Sequence, residues 1–184
     1  MSETLRVLTP EEYLEMERAA EVRHEYVGGQ VHALAGSRYA HNVIAMNLGS
    51  RLHQHLEGTP CRVVGSDMKL RAAADRFYYP DLMVNCESVE AESEYVDHPR
   101  YVVEVSSPST QRIDRGEKAD AYWRVPSIEA YVMVAQSAMQ VVVLRRGVED
   151  WETEILTRPE DGLRLDGIAF RCTLADIYAD ADVA

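Results

Sequence analysis

Long apolar runs are missing from this sequence. No stretch approaches the ~20 residues that a membrane-spanning helix needs, so none is expected. The first ten residues lack a basic segment followed by an apolar one, which argues against a cleaved signal peptide. Cysteine is scarce: Cys61, Cys86 and Cys172 are widely spaced, odd in number and form no CxxC pair. That pattern gives little support to a metal site or a disulfide and fits a reducing, cytoplasmic setting. Bases are outnumbered, 19 Lys and Arg against 31 Asp and Glu, for a formal net charge of −12. Avid nonspecific nucleic-acid binding, which depends on neutralising phosphates, is argued against. Repeats, low-complexity tracts and linkers are also lacking. The 184 residues are expected to form one domain over 1–184, large enough to bury a core without staples.

The acids that are present cluster. Glu87, Glu90, Glu92, Glu94 and Asp97 form one run and Glu149, Asp150, Glu152 and Glu154 another, both read as solvated loops or strand edges. Between them Arg100, Arg112, Arg115 and Lys118 face only Glu104, Asp114 and Glu117, which leaves room for a locally basic cleft.

Local signals order the elements. Thr9-Pro10-Glu11-Glu12 supplies an N-cap, a proline at the first helical position and a capping box, and predicts a helix to about Ala20. Residues 25–34 read as two short strands about Gly28-Gly29. Ile44, Leu48, Leu52 and Leu56 recur at i+4 in a long helix introduced by Gly36-Ser37 and stopped by Gly58. Strands follow at Cys61–Val64, Met68–Arg71, Phe77–Cys86 and Tyr101–Ser106, then a helix from about Arg112 to Arg124. Strands return at Ala130–Ala135, Met139–Arg145, Trp151–Thr157 and Leu163–Leu165, with a helical turn at Leu174–Tyr178. The order fits an α+β or α/β domain with a mixed sheet.

Two carboxylates sit in apolar surroundings, Asp81 in Tyr78–Val84 and Glu104 in Tyr101–Val105. A carboxylate among buried strand residues is expensive unless paired, hydrogen-bonded or metal-bound. Acids on successive strands can reach one cation, and two carboxylates with a backbone carbonyl suit Mg²⁺. Pairing with arginine or capping of a strand end explains them equally well at this level.

The ordered set Pro80-Asp81, Glu104-Val105-Ser106-Ser107-Pro108-Ser109-Thr110, Asp114, Lys118 and Tyr122 resembles the Uma-type "putative restriction endonuclease" family. This is a large bacterial family within the PD-(D/E)XK nuclease superfamily. Glu25-Tyr26-Val27-Gly28-Gly29-Gln30 and His41 extend the likeness, which covers roughly residues 8 to 178. The resemblance implies a restriction endonuclease-like core and a Mg²⁺-dependent deoxyribonuclease, with Mn²⁺ as a substitute. It implies metal ligation by Asp81, Glu104 and the Val105 carbonyl. The superfamily's lysine, two residues after the glutamate, is replaced by Ser106, and Lys118 is its implied substitute. Lys69 is a weaker candidate, and a surface ion pair with Asp114 is the competing role for Lys118. Glu25 is implied as a third carboxylate and His41 as a catalytic histidine, against a strand-edge salt bridge and a core histidine respectively.

Ser107, Ser109 and Thr110 could contact phosphate or simply form a turn and a cap. Tyr122 and Trp123 could stack on a base, though core packing explains them better. Ala130-Tyr131 departs from the Tyr-Trp pair common in the family. DNA is the implied substrate and a homodimer the implied assembly, with Val141-Val142-Val143 offering a face or a core strand. The competing functions are an inactive nuclease fold that binds DNA or protein, and a hydrolase of a non-nucleic phosphoester.

Overall fold

The structure, a computed structural model, describes residues 7–183. Helix α1 (Pro10–Arg18) begins as its sequence dictates: Thr9 caps Glu12, Glu12 caps Thr9 in return, and Pro10 occupies the first turn. Strands β1 (His24–Val27) and β2 (Gln30–Ala33) turn on Gly28 and Gly29. Both glycines have positive φ, 56° and 89°, a backbone conformation side chains resist. Helix α2 (Tyr39–His55) buries Ile44, Leu48 and Leu52 on one face. Each contributes about 1.5–3 kcal/mol of burial.

Six strands form the principal sheet, in the order β11-β10-β9-β8-β6-β3. They are β3 (Arg62–Gly65), β6 (Leu82–Asn85), β8 (Tyr101–Ser106), β9 (Ala130–Ala135), β10 (Val141–Arg146) and β11 (Trp151–Leu156). The β8–β9 pair is parallel and the other neighbours are antiparallel, so the sheet is mixed as expected. Every residue of β8 is buried because the sheet is covered on both faces. One face packs Val103, Val105, Val132 and Val134 with α2. The other packs Val102, Tyr131 and Met133 with the helical segment over residues 111–123.

A second sheet takes β1 and β2 together with β4 (Lys69–Ala73), β5 (Arg76–Tyr78) and β7 (Tyr95–Val96). A two-stranded ribbon of β12 (Gly162–Leu165) and β13 (Phe170–Thr173), followed by α5 (Leu174–Ile177), closes the α2 side.

Three expectations need correction. The single strand from Phe77 to Cys86 is two strands in different sheets, parted at Tyr79-Pro80-Asp81. Proline lacks the N–H a central strand needs, and the chain changes sheet there. Asp81 therefore lies at a junction rather than within a strand. Cys61 and Cys86 form a disulfide, despite their separation of 25 residues. The β3–β6 register pairs Arg62 with Asn85, which brings the next residues of both strands face to face. The pairing removes the ground on which free cysteines pointed to a reducing setting. Val141, Val142 and Val143 are buried in β10, between β9 and β11, and offer no dimer face. Two strands were not foreseen: β7, which is two residues long, and β13, whose Phe-Arg-Cys-Thr alternation spans only four residues. Among the described residues, no helix is long and apolar enough to cross a membrane.

Candidate active site

The β6–β8 register places Leu82 opposite Val103. One step further along that register brings Asp81 beside Glu104. There β6 has ended, so the Val105 N–H has lost its strand partner and donates instead to Asp81 Oδ2 at 2.7 Å. The Val105 carbonyl leaves the strand on the same edge as its N–H. His41, on the first turns of α2, sets Nε2 3.2 Å from Asp81 Oδ1. Its Nδ1 is buried with no hydrogen-bond partner among the described residues.

Alternation along β8 turns Glu104 away from α2 and toward residues 111–123. That segment was expected to be one α-helix. It is α3 (Gln111–Ile113), a π-helical turn (Asp114–Lys118) and α4 (Ala119–Trp123). Residues four apart drift around an α-helix in one direction and around the wider π turn in the other, so Asp114, Lys118 and Tyr122 all meet β8. Lys118 Nζ lies 2.9 Å from Glu104 Oε1, 2.8 Å from Glu25 Oε1 and 3.9 Å from Asp114 Oδ1. The Tyr122 hydroxyl donates to Glu104 Oε1 at 3.0 Å. Ser106, where the superfamily carries lysine, donates from Oγ to Asp114 Oδ2 at 2.8 Å. The surface ion-pair role for Lys118 fails because Lys118 and Asp114 are both buried.

Burial alone would lower the Lys118 pKa, but Glu104, Glu25 and Asp114 more than offset it and keep the ammonium charged. Burial raises the Glu104 pKa; Asp81, Asp114 and Glu25 add to the shift and Lys118 opposes it. Burial likewise raises that of Asp114, against Lys118 and the Ser106 hydroxyl. Among the described residues, no three His, Cys, Asp or Glu side chains converge as a ready-made metal cage. Glu25, Glu104 and Asp114 converge on the Lys118 ammonium, while Asp81 stands apart with His41 and the Val105 N–H.

These groups floor a cleft of about 740 Å³, whose walls include α2 and Ser107, Ser109 and Thr110. The three hydroxyls bond to one another, with Ser107 Oγ 2.8 Å from Ser109 Oγ and 3.2 Å from Thr110 Oγ1. Lys69 is buried but does not line the cleft; its ammonium lies 5.6 Å from the Tyr79 ring centroid. Tyr122 is fully buried, and Trp123 packs against Trp151 at 5.0 Å, so neither is placed to stack on a base in the cleft. Arg100 pairs with Glu129, and Arg112 and Arg115 do not line the cleft, so the basic cleft for which the sequence left room is not built from these arginines.

Sequence reading missed the Tyr79 backbone N–H, which donates to Glu25 Oε1 at 3.2 Å, and the Tyr79 hydroxyl, which donates to Glu17 at 3.0 Å. The only available signal was the neighbouring Pro80-Asp81. The Tyr122 hydroxyl was also missed, because the residue reads as packing.

The family model of Uma2, described as "Putative restriction endonuclease", matches residues 10–175. An uncharacterized protein of Synechocystis, slr1290, is 33% identical over 174 residues, covering 93% of this chain and 91% of that protein. A second uncharacterized Synechocystis protein, sll1609, is 29% identical over 142 residues, covering 75% of this chain and 80% of its own length. The crystal structure of a "putative nuclease belonging to DUF820" from Anabaena variabilis superposes with a TM-score of 0.78 at 17% identity, covering 94% of this chain and 98% of that one. At that identity the likeness is one of fold, and it matches the mixed sheet with flanking helices. The chain belongs to the Uma2 family.

Proposed function

We propose that this chain is a Mg²⁺-dependent endonuclease that hydrolyses phosphodiester bonds of DNA. The observation that carries this reading is the junction of β6 and β8, where Asp81 stands beside Glu104 with a buried ammonium behind them. Asp81, Glu104 and the Val105 carbonyl are hard oxygen donors, the chemistry Mg²⁺ takes when held by one or two carboxylates and its own waters. A divalent cation held there supplies Lewis-acid charge to a phosphoryl oxygen.

The protein's own part is positioning and electrostatics. The Val105 N–H fixes one oxygen of Asp81, and the Tyr122 hydroxyl and Lys118 fix Glu104. Lys118, held as an ammonium, orients the attacking water or offsets charge on the phosphate. It does not remove a proton, because three carboxylates keep its own in place. Glu25 shares Lys118 with Glu104 and keeps its head group aimed at the site. His41 holds the second oxygen of Asp81, the role its 3.2 Å approach supports.

Incubation of plasmid and oligonucleotide DNA with purified protein and Mg²⁺ or Mn²⁺ tests this reading. Nicking or cleavage is expected, with its loss in Asp81→Ala and in Glu104→Ala. Undiminished cleavage by both variants would overturn the assignment.

A further inference from the structure

The cleft is not uniform. Its floor is ionic, but Leu34, Ala45, Met46, Gly49, Val63 and Leu82 give it an apolar stretch of wall beside the polar Asn42, Ser50 and His53. Ala45 and Gly49, four residues apart on α2, keep that wall low. Gly49 faces Leu82 so closely that an added Cβ would sit 3.1 Å from its Cδ2. Met46 is 68% exposed and overhangs the opening. The whole space, about 740 Å³, lies within the ~300–1,000 Å³ range of small-molecule pockets.

Carboxylates line the cleft, but free cations around it are few. Of the Arg and Lys side chains on the lining, Lys118 sits at the floor among carboxylates, where it serves only the phosphate at the site, and Arg23 pairs with Asp67 at 3.0 Å, which leaves the exposed Arg38 for the rest of a strand. A duplex held by its phosphates needs a row of such cations, and a chain of net charge −12 provides none here. Apolar contact with a base would add affinity that phosphate contacts do not supply here, and it is available only when the base is out of the stack.

From this we infer that the apolar wall receives an unpaired nucleobase, so that the substrate is single-stranded or locally unpaired DNA whose neighbouring phosphate reaches Asp81 and Glu104. The inference rests on the nuclease reading for the role of that phosphate, but base binding can be measured without cleavage.

Fluorescence anisotropy in EDTA, where metal-dependent cleavage does not intrude, compares three labelled 20-mers: single-stranded oligo-dT, its duplex with oligo-dA, and a single strand in which every nucleotide is abasic. Oligo-dT is expected to bind roughly tenfold more tightly than either of the others, about the effect of burying one apolar group of base size. Ala45→Phe, which fills the wall, is expected to remove that preference. Because Ala45 is partly buried, Met46→Glu at the exposed lip provides a second variant that spares the core, and it should weaken oligo-dT by a similar factor. Equal binding of the abasic strand, equal binding of the duplex, or full oligo-dT affinity in both variants would overturn the inference. Absence of Mn²⁺-dependent cleavage alongside base-dependent binding would instead sink the nuclease reading and leave the pocket standing.

Discussion

Lys118 Nζ lies 2.9 Å from Glu104 Oε1, and the lysine reaches it from a π-helical turn rather than from the strand that carries the glutamate. Both residues are buried, with Glu25 and Asp114 around the same ammonium. Ser106, two residues after Glu104, has become the hydroxyl that anchors Asp114. Lys118, Ser106 and Asp114 are thus linked to one another and to Glu104.

Replacing that cation should be costly. Lys118→Met keeps the length of the side chain but leaves three buried carboxylates without their counter-charge, which is expected to destabilise the fold by about 3–5 kcal/mol. Urea unfolding at neutral pH reads the loss. The sign with pH is fixed: the Lys118 pKa is raised on folding. Its contribution is therefore fully present below the unfolded value of about 10.4 and declines only as pH rises through the higher folded value. The gap between wild type and variant should stay open from pH 7 to 10. A variant as stable as wild type across that range would show that the ammonium is not what balances the acids.

Tyr122→Phe removes one hydroxyl from a fully buried side chain and leaves its packing with Tyr78 and Tyr131 in place. The lost hydrogen bond to Glu104 is expected to cost about 1.5–3 kcal/mol, the range for a charged acceptor, and to lower kcat more than it raises KM. Steady-state kinetics on cleaved DNA, with unfolding measured on the same samples, separates the two effects. Unchanged kcat would reduce Tyr122 to a packing residue.

The Cys61–Cys86 bridge closes a segment of 25 residues that begins beside β3 and carries Asp81. A loop of that length is expected to stabilise the folded chain by about 3.5 kcal/mol through its effect on the unfolded state. Cys61→Ser with Cys86→Ser should show that loss in urea. Mass spectrometry of alkylated protein, finding one reactive thiol under denaturing conditions where three would mean no bridge, checks the pairing itself.

Much of this was legible in the sequence because the signals were local. The Thr9 capping box, the Gly28-Gly29 turn and the i+4 stripe of α2 depend on residues close in the chain. Asp81, Glu104 and Lys118 were legible as a set only through the resemblance of their ordered motifs to the Uma-type family. What stayed hidden depended on register and on a change of helical pitch. Nothing local distinguishes a strand that passes through Pro80 from two strands that part there, nor an α turn from a π turn at Asp114–Lys118. The disulfide needed the β3–β6 pairing before two distant cysteines became neighbours. The Tyr79 and Tyr122 hydroxyls were invisible for a simpler reason: an aromatic side chain reads as packing until its polar tip is located.

Calorimetric titration of Mn²⁺ into wild type, Asp81→Ala and Glu104→Ala tests most directly whether the two carboxylates form one metal site. One binding event per chain is expected in wild type, and its loss in each variant. Binding retained at full affinity in both variants, or absent from folded wild type, would contradict a shared site at the β6–β8 junction.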